Sequence, residues 1–212
     1  MARQYRGCSK LVYAPYTYDE EKDTITFGEV KKFCEVKSIS REISSENEEV
    51  WADNKLQDTT YGGTAVTRTF TCMRIPKAVE AEVLGNTVLE VGERKLYGTP
   101  QDGSARKYFA FGYALHDGDA SKPCEIVWAF KGIVNSISQT VNTIDRGTAS
   151  EGQEVNITFS APDKAWAKTG KNELDNSLSS ADGDLTADIV SKWFAQVVTY
   201  DNAETALAAT TE

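Results

Sequence analysis

Four cysteines, one histidine and a large stock of carboxylates are the residues of this chain that could do chemistry. Cys8, Cys34, Cys72 and Cys124 are widely spaced, no Cys-x-x-Cys pair exists, and His116 is the sole histidine. Structural zinc sites take their ligands in close sequence pairs, so this spacing argues against a metal centre, and no cofactor is expected. It favours free, mostly buried thiols in a reducing compartment. Cys34 and Cys72 lie near the ends of two strands expected to pair, so they are candidate neighbours; a disulfide there is open but not required. Adjacent acids such as Glu48 and Glu49, or Asp117 and Asp119, are commonplace in so acidic a chain and do not define a glycosidase pair. Ser138 and His116 sit in no nucleophile motif. There is no P-loop, no GxGxxG between a strand and a helix, and no HExxH. Without a mechanistic motif, no enzymatic activity is expected.

The charge balance points the same way. The chain has 212 residues and a formal net charge of -9, which opposes a phosphate-gripping surface built of clustered Lys and Arg. It suits a self-repelling soluble protein, or one that stands near nucleic acid without holding it. No apolar run approaches the roughly 20 residues of a membrane span. The start, Met1-Ala-Arg-Gln-Tyr-Arg, leads into no apolar segment and does not read as a secretory signal.

The elements that would position side chains are announced by an internal echo. Val36-Lys37-Ser38-Ile39-Ser40 returns as Val134-Asn135-Ser136-Ile137-Ser138, and Val66-Thr67-Arg68-Thr69-Phe70-Thr71 returns as Val155-Asn156-Ile157-Thr158-Phe159-Ser160. A repeated segment usually marks a repeated supersecondary unit, here a long β-hairpin. Alternation places Ser38, Ser40, Glu42 and Ser44 on one face of the first strand and Ile39 and Ile43 on the other, with Arg41 between them. The return strand puts Thr67, Thr69 and Thr71 opposite Val66, Arg68 and Phe70. In the second copy Glu154, Asn156 and Thr158 stand opposite Val155, Ile157 and Phe159.

Around the hairpins, Leu11–Ala14 predicts a short strand stopped by Pro15. Pro76 and Gly85 bracket a helix, the 88–96 stretch is a weak strand, and 107–115 is a central strand returning through 125–130 into the second copy. Residues 45–63 read as a long acidic loop and 167–184 as a flexible insertion. A second helix is predicted over 185–194, and 201–212 should fray. The expectation is one domain over 1–200, mainly β (α+β). It is a two-sheet sandwich or barrel with two short helices and two long hairpins able to join a barrel between subunits.

Long regular edges are templates for other chains, and closure into a barrel removes that liability. Over about residues 7–165 the chain resembles the major tail proteins of bacteriophages with long, flexible, non-contractile tails. The segments that carry the resemblance are Leu11-Val12-Tyr13-Ala14-Pro15, Trp51-Ala52-Asp53-Asn54, Val83-Leu84-Gly85, Phe109-Ala110-Phe111-Gly112-Tyr113 and Trp128-Ala129-Phe130-Lys131-Gly132, followed by Gln139-Thr140. Trp51 stands where the family pattern has Tyr. The resemblance implies a virion tail-tube subunit, with a fold shared by the type VI secretion tube protein. Six copies form a ring, each gives two hairpins to an inner β-barrel, and stacked rings conduct double-stranded DNA on ejection. Its partners would be itself, the tape measure protein, and the tail terminator and distal tail proteins, with assembly in the host bacterial cytoplasm and no membrane.

On that basis Ser38, Ser40, Glu42, Thr67, Thr69, Thr71, Glu154, Asn156 and Thr158 are the candidates for lining the lumen. Small hydroxyls and acids there would let a polyanion slide. Glu46, Glu48, Glu49, Trp51 and Asp53 are the candidates for contact between stacked rings, with Trp51 as anchor. The alternative of a different class is a non-enzymatic β-sandwich that binds or decorates a virion, which predicts discrete particles rather than filaments.

Overall fold

The computed structural model describes residues 4–52, 55–100, 106–118, 122–141 and 152–208; for 45–52 and 55–63 the description is of the backbone alone. The protein is mainly β and antiparallel. The strands are β1 (Gly7–Asp19), β2 (Thr24–Phe27), β3 (Lys31–Lys32), β4 (Val36–Ala52), β5 (Lys55–Cys72), β6 (Thr87–Val91), β7 (Arg94–Gly98), β8 (Phe109–His116), β9 (Glu125–Gln139), β10 (Gln153–Phe159) and β11 (Asp175–Ser179). The helices are α1 (Lys77–Leu84), α2 (Ala187–Ala195) and α3 (Ala203–Leu207). Among the described residues nine strands form one sheet, seven of them along the path β2-β1-β8-β9-β10-β5-β4, with β11 off this path on β9 and β3 on β1. β6 and β7 form a separate hairpin.

The central strands are apolar on both faces because both faces are covered. From β8, Phe109, Phe111 and Tyr113 enter a core with Leu11, Phe70, Val155, Ile157 and Phe159. The intervening Ala110 and Ala114 face a second core with Trp128, Phe130, Trp166 and Trp193. Each fully buried Phe contributes on the order of 1.5–3 kcal/mol. α1 closes the first core through Val83, and α2 closes the second through Trp193, whose carbonyl accepts from Trp128 Nε1 at 2.9 Å. Thr186 caps α2 by accepting from the Ile189 N–H, and Gly85 ends α1 in the left-handed region at φ 70°. Gly132 sits where β9 passes between Phe109 and Phe159; a Cβ there would stand 2.5 Å from the Phe159 ring.

Several expectations change. β1 does not stop at Pro15. Proline lacks an N–H, and here it lies at the end of the β8 ladder, where the chain switches to β2 and Gly28 N–H donates to the Pro15 carbonyl at 2.9 Å. The expected loop over 45–63 is instead the far half of β4 and β5, paired as far as Ala52 opposite Lys55. The expected insertion over 167–184 contains β11, held by five pairs to β9 from Asp175↔Ala129 to Ser179↔Glu125. Its polar composition suits an edge strand. A third helix, α3, forms within the segment expected to fray, because Ala206 is buried and packs into the second core. Cys34 and Cys72 are not free thiols. They are joined as a disulfide with Cα atoms 6.2 Å apart, while Cys8 and Cys124 are free and partly buried.

Candidate functional site: a polar face on four adjacent strands

The two echoed hairpins lie side by side. β5 pairs with β10 through Val66↔Phe159, Arg68↔Ile157 and Phe70↔Val155. The two copies of the return strand therefore run antiparallel about the Arg68–Ile157 pair. β4 flanks β5 and β9 flanks β10, which makes a four-strand surface in the order β4-β5-β10-β9.

All nine residues expected to share a polar face do so, and they are in register. Ser38 lies opposite Thr71, which lies opposite Glu154; Ser40, Thr69 and Asn156 form the next row, and Glu42, Thr67 and Thr158 the third. None is buried: Ser38, Ser40, Glu42 and Glu154 are exposed and the others half-buried. The rows continue into β9, where Glu154 faces Ser138 and Asn156 faces Ser136. Side-chain hydrogen bonds tie the rows across strands. Thr69 Oγ1 donates to Asn156 Oδ1 at 2.6 Å, Asn156 Nδ2 to Ser136 Oγ at 3.2 Å, and Asn135 Nδ2 to Thr158 Oγ1 at 2.6 Å. Such cross-strand pairs hold a wet face flat and specific.

Asn135, Ser136 and Ser138 were absent from the expected face, although the echo aligns the two serines with Ser38 and Ser40. The face presents the acids Glu42 and Glu154, both exposed.

Behind the face, the apolar alternation holds for Phe70, Val155, Ile157 and Phe159, all fully buried. Ile39 is half-buried against the first core. Ile43 remains 58% exposed, because β4 at that point has passed the edge of the core. Arg68 occupies the apolar side, fully buried, and donates to Asp175 Oδ2. Arg41, its partner across the β4–β5 ladder, reaches the same oxygen at 3.1 Å. The Arg68 guanidinium lies 4.8 Å from the Phe159 ring centre and 5.6 Å from that of Tyr113, and its Nε and Nη1 have no hydrogen-bond acceptor among the described residues. Burial pushes the Tyr113 phenol up, with Arg68 pulling the other way. The sequence signal for this cluster was a pair of arginines on an apolar face, which requires a counter-charge.

Both sides of the four-strand surface offer backbone. β4 has β5 as its one strand partner among the described residues. β9 is paired to β8 only as far as Gly132. From Ile133 to Gln139 it has β10 on one side and no strand on the other among the described residues. Arg106 Nη1 donates there to the Val134 and Asn135 carbonyls at 3.1 and 2.8 Å.

The far half of the β4–β5 hairpin projects alone, since β10 ends opposite Val66. Residues 45–52 at about 3.3 Å each carry its end roughly 26 Å past Ser44. Of the stacking candidates, Glu48 pairs with Thr60, Glu49 with Thr59 and Trp51 with Leu56, while Glu46 falls at a register shift. Asp53 lies outside the described residues.

Among the described residues no helix is long and apolar enough to cross a membrane. No protein-family model matches the chain, and no curated protein matches it.

Proposed function

We propose that the protein is a tail-tube subunit of a long-tailed bacteriophage, assembling as hexameric rings that stack into a DNA-conducting tube. The observation that carries this reading is the register of nine small polar and acidic side chains on one face of β4, β5 and β10, extended by serines of β9. In this reading the edge of β4 that has no strand partner among the described residues hydrogen-bonds, in the next copy, to the side of β9 beyond the Arg106 contacts, residues 136–139. The ladder then runs around a ring and closes, which removes two exposed edges at once. Four strands from each of six subunits make a barrel wider than the 16–18-stranded porins, which already hold an aqueous channel.

The lining works passively. Duplex DNA carries one charge per roughly 1.7 Å of axis, and a basic wall would bind it. Hydroxyls and amides satisfied by one another, with Glu42 and Glu154 among them, offer weak competition for phosphate. The carboxylates act within about 8 Å at physiological salt, so they matter only for DNA close to the wall. The projecting arm, acidic and carrying Trp51, contacts the neighbouring ring. The tape measure, terminator and distal tail proteins are the further partners, the virion tail is the site of action, and no enzymatic step is involved.

Negative-stain electron microscopy of the concentrated protein tests the reading. Rings or hollow tubes are expected. Discrete monomeric particles at every concentration would leave the face as the solvated side of a binding module.

A further inference from the structure

The hairpin β6–β7 has no part in the four-strand polar surface. Among the described residues it pairs with no strand of the main sheet, and all ten of its own residues are exposed. A two-stranded hairpin alone is marginal in water. Its pairs are Thr87↔Gly98, Val88↔Tyr97, Leu89↔Leu96, Glu90↔Lys95 and Val91↔Arg94. One face carries Val88 and Tyr97 beside the Glu90–Lys95 ion pair of 3.2 Å. The other carries Leu89, Leu96 and Val91, exposed by 59%, 57% and 53%, with Arg94 at the turn end. A contiguous exposed apolar face marks a contact surface.

The same molecule has a complementary groove. Leu178 of β11, Leu185 just before the Thr186 cap, Ile189 in the first turn of α2, and Leu207 of α3 line a cavity of about 260 Å³, with Asp182 and Asp184 beside them. Leucines would meet leucines, and Arg94 would meet two carboxylates. A chain cannot make this contact with itself. The hairpin follows α1, which packs on the first core, whereas α2 and α3 cover the second core on the opposite face of the sheet.

We infer that the Leu89–Val91–Leu96 face of β6–β7 in one copy docks into the Leu178–Leu185–Ile189–Leu207 groove of a second copy, with Arg94 paired to Asp182 and Asp184. The contact is heterologous, the kind that builds rings and filaments rather than two-fold dimers. It adds a second joint to the tube reading, on which it rests, and one independent of the strand edges.

The test uses the full chain carrying Cys8→Ser and Cys124→Ser, so that the only other cysteines are the disulfide pair. Leu89→Cys protein is mixed with size-tagged Leu185→Cys protein and oxidised. A mixed disulfide dimer is expected, and its absence overturns the inference. In parallel, Arg94→Asp should raise the concentration needed for assembly roughly tenfold, the effect of one lost interface contact, with circular dichroism unchanged. Asp184→Arg in the same chain should restore it. Tubes that form without the cross-link and ignore Arg94→Asp would sink the docking and leave the tube reading standing. A wild type that forms no tubes, yet whose variants cross-link, would support the docking and sink the tube.

Discussion

Lys37 and Asn135 are the extra residues of two β-bulges at the same position of the echo. Val36 pairs with Cys72 and Ser38 with Thr71, leaving Lys37 over; Val134 pairs with Ile157 and Ser136 with Asn156, leaving Asn135 over. The repeated Val-x-Ser is thus a repeated bulge, a device that bends a strand and sharpens its twist. On each side of it the valine points inward and the serine outward, so removing the extra residue preserves the faces. Deletion of Asn135 should cost only about 1–2 kcal/mol in urea unfolding. It should alter the curvature of the four-strand surface, read as tubes of changed diameter or failed ring closure in micrographs. A deletion that melts the monomer outright would show that the bulge serves the core instead.

Asp175 holds Arg41 and Arg68 together across the ladder. Arg68 is fully buried, and an uncompensated buried charge is costly. Asp175→Asn should destabilise the protein by about 3 kcal/mol, read as a lowered urea midpoint. Arg68→Met, which removes charge and counter-demand together, should cost less than Asp175→Asn.

Thr69 lies in the middle row of the polar face, bonded to Asn156 at 2.6 Å. Thr69→Lys should leave monomer stability within about 1 kcal/mol, as is usual for residues with some exposure. Assembled tubes of this variant should retain duplex DNA in filter binding at low salt and release it steeply as salt rises. Wild-type tubes should retain none. Equal retention by both would mean that Thr69 does not face the channel.

Trp51 lies opposite Leu56 near the end of the projecting arm. A central aromatic anchor is worth about 2 kcal/mol or more at an interface. Trp51→Ala should therefore leave single rings intact and shorten or abolish stacks, measured by sedimentation. Polymerisation at the wild-type concentration would refute its role.

Acid should loosen the fold through two carboxylates. Burial alone would push Asp163 and Glu82 up. The bonds from Lys131 and Tyr16 to Asp163, and from Lys31 and Tyr13 to Glu82, outweigh it and hold both below their ordinary values. A depressed carboxyl stabilises the fold above its unfolded value, near 4, and that contribution is lost as pH falls through the lower folded value. Urea midpoints should therefore drop below about pH 4. Asp163→Asn should lower the midpoint at neutral pH and flatten the acid slope; an unchanged slope would assign the acid sensitivity elsewhere.

The polar face was legible from the sequence because side chains alternate with period two, and because Ser, Thr and Asn recur at matching positions in both copies. The limits of β4 and β5 were not. Acidic, Asn- and Gly-bearing residues look like a loop, and only the cross-strand pairs from Asn47↔Tyr61 to Ala52↔Lys55 make them strand. β11 was hidden for a related reason: Asp175–Ser179 has little apolar pattern of its own and is strand because β9 offers it a partner edge.

By itself the sequence determined the mainly β class, the repeated hairpin unit and which side chains share a face. These follow from local alternation, which needs no knowledge of neighbours. The tertiary structure alone decided that the two hairpins join at β5 and β10 and that Asp175 answers the two arginines. Each of these is a contact between residues 81 to 134 positions apart, and no local pattern encodes which distant edge or charge will be brought alongside.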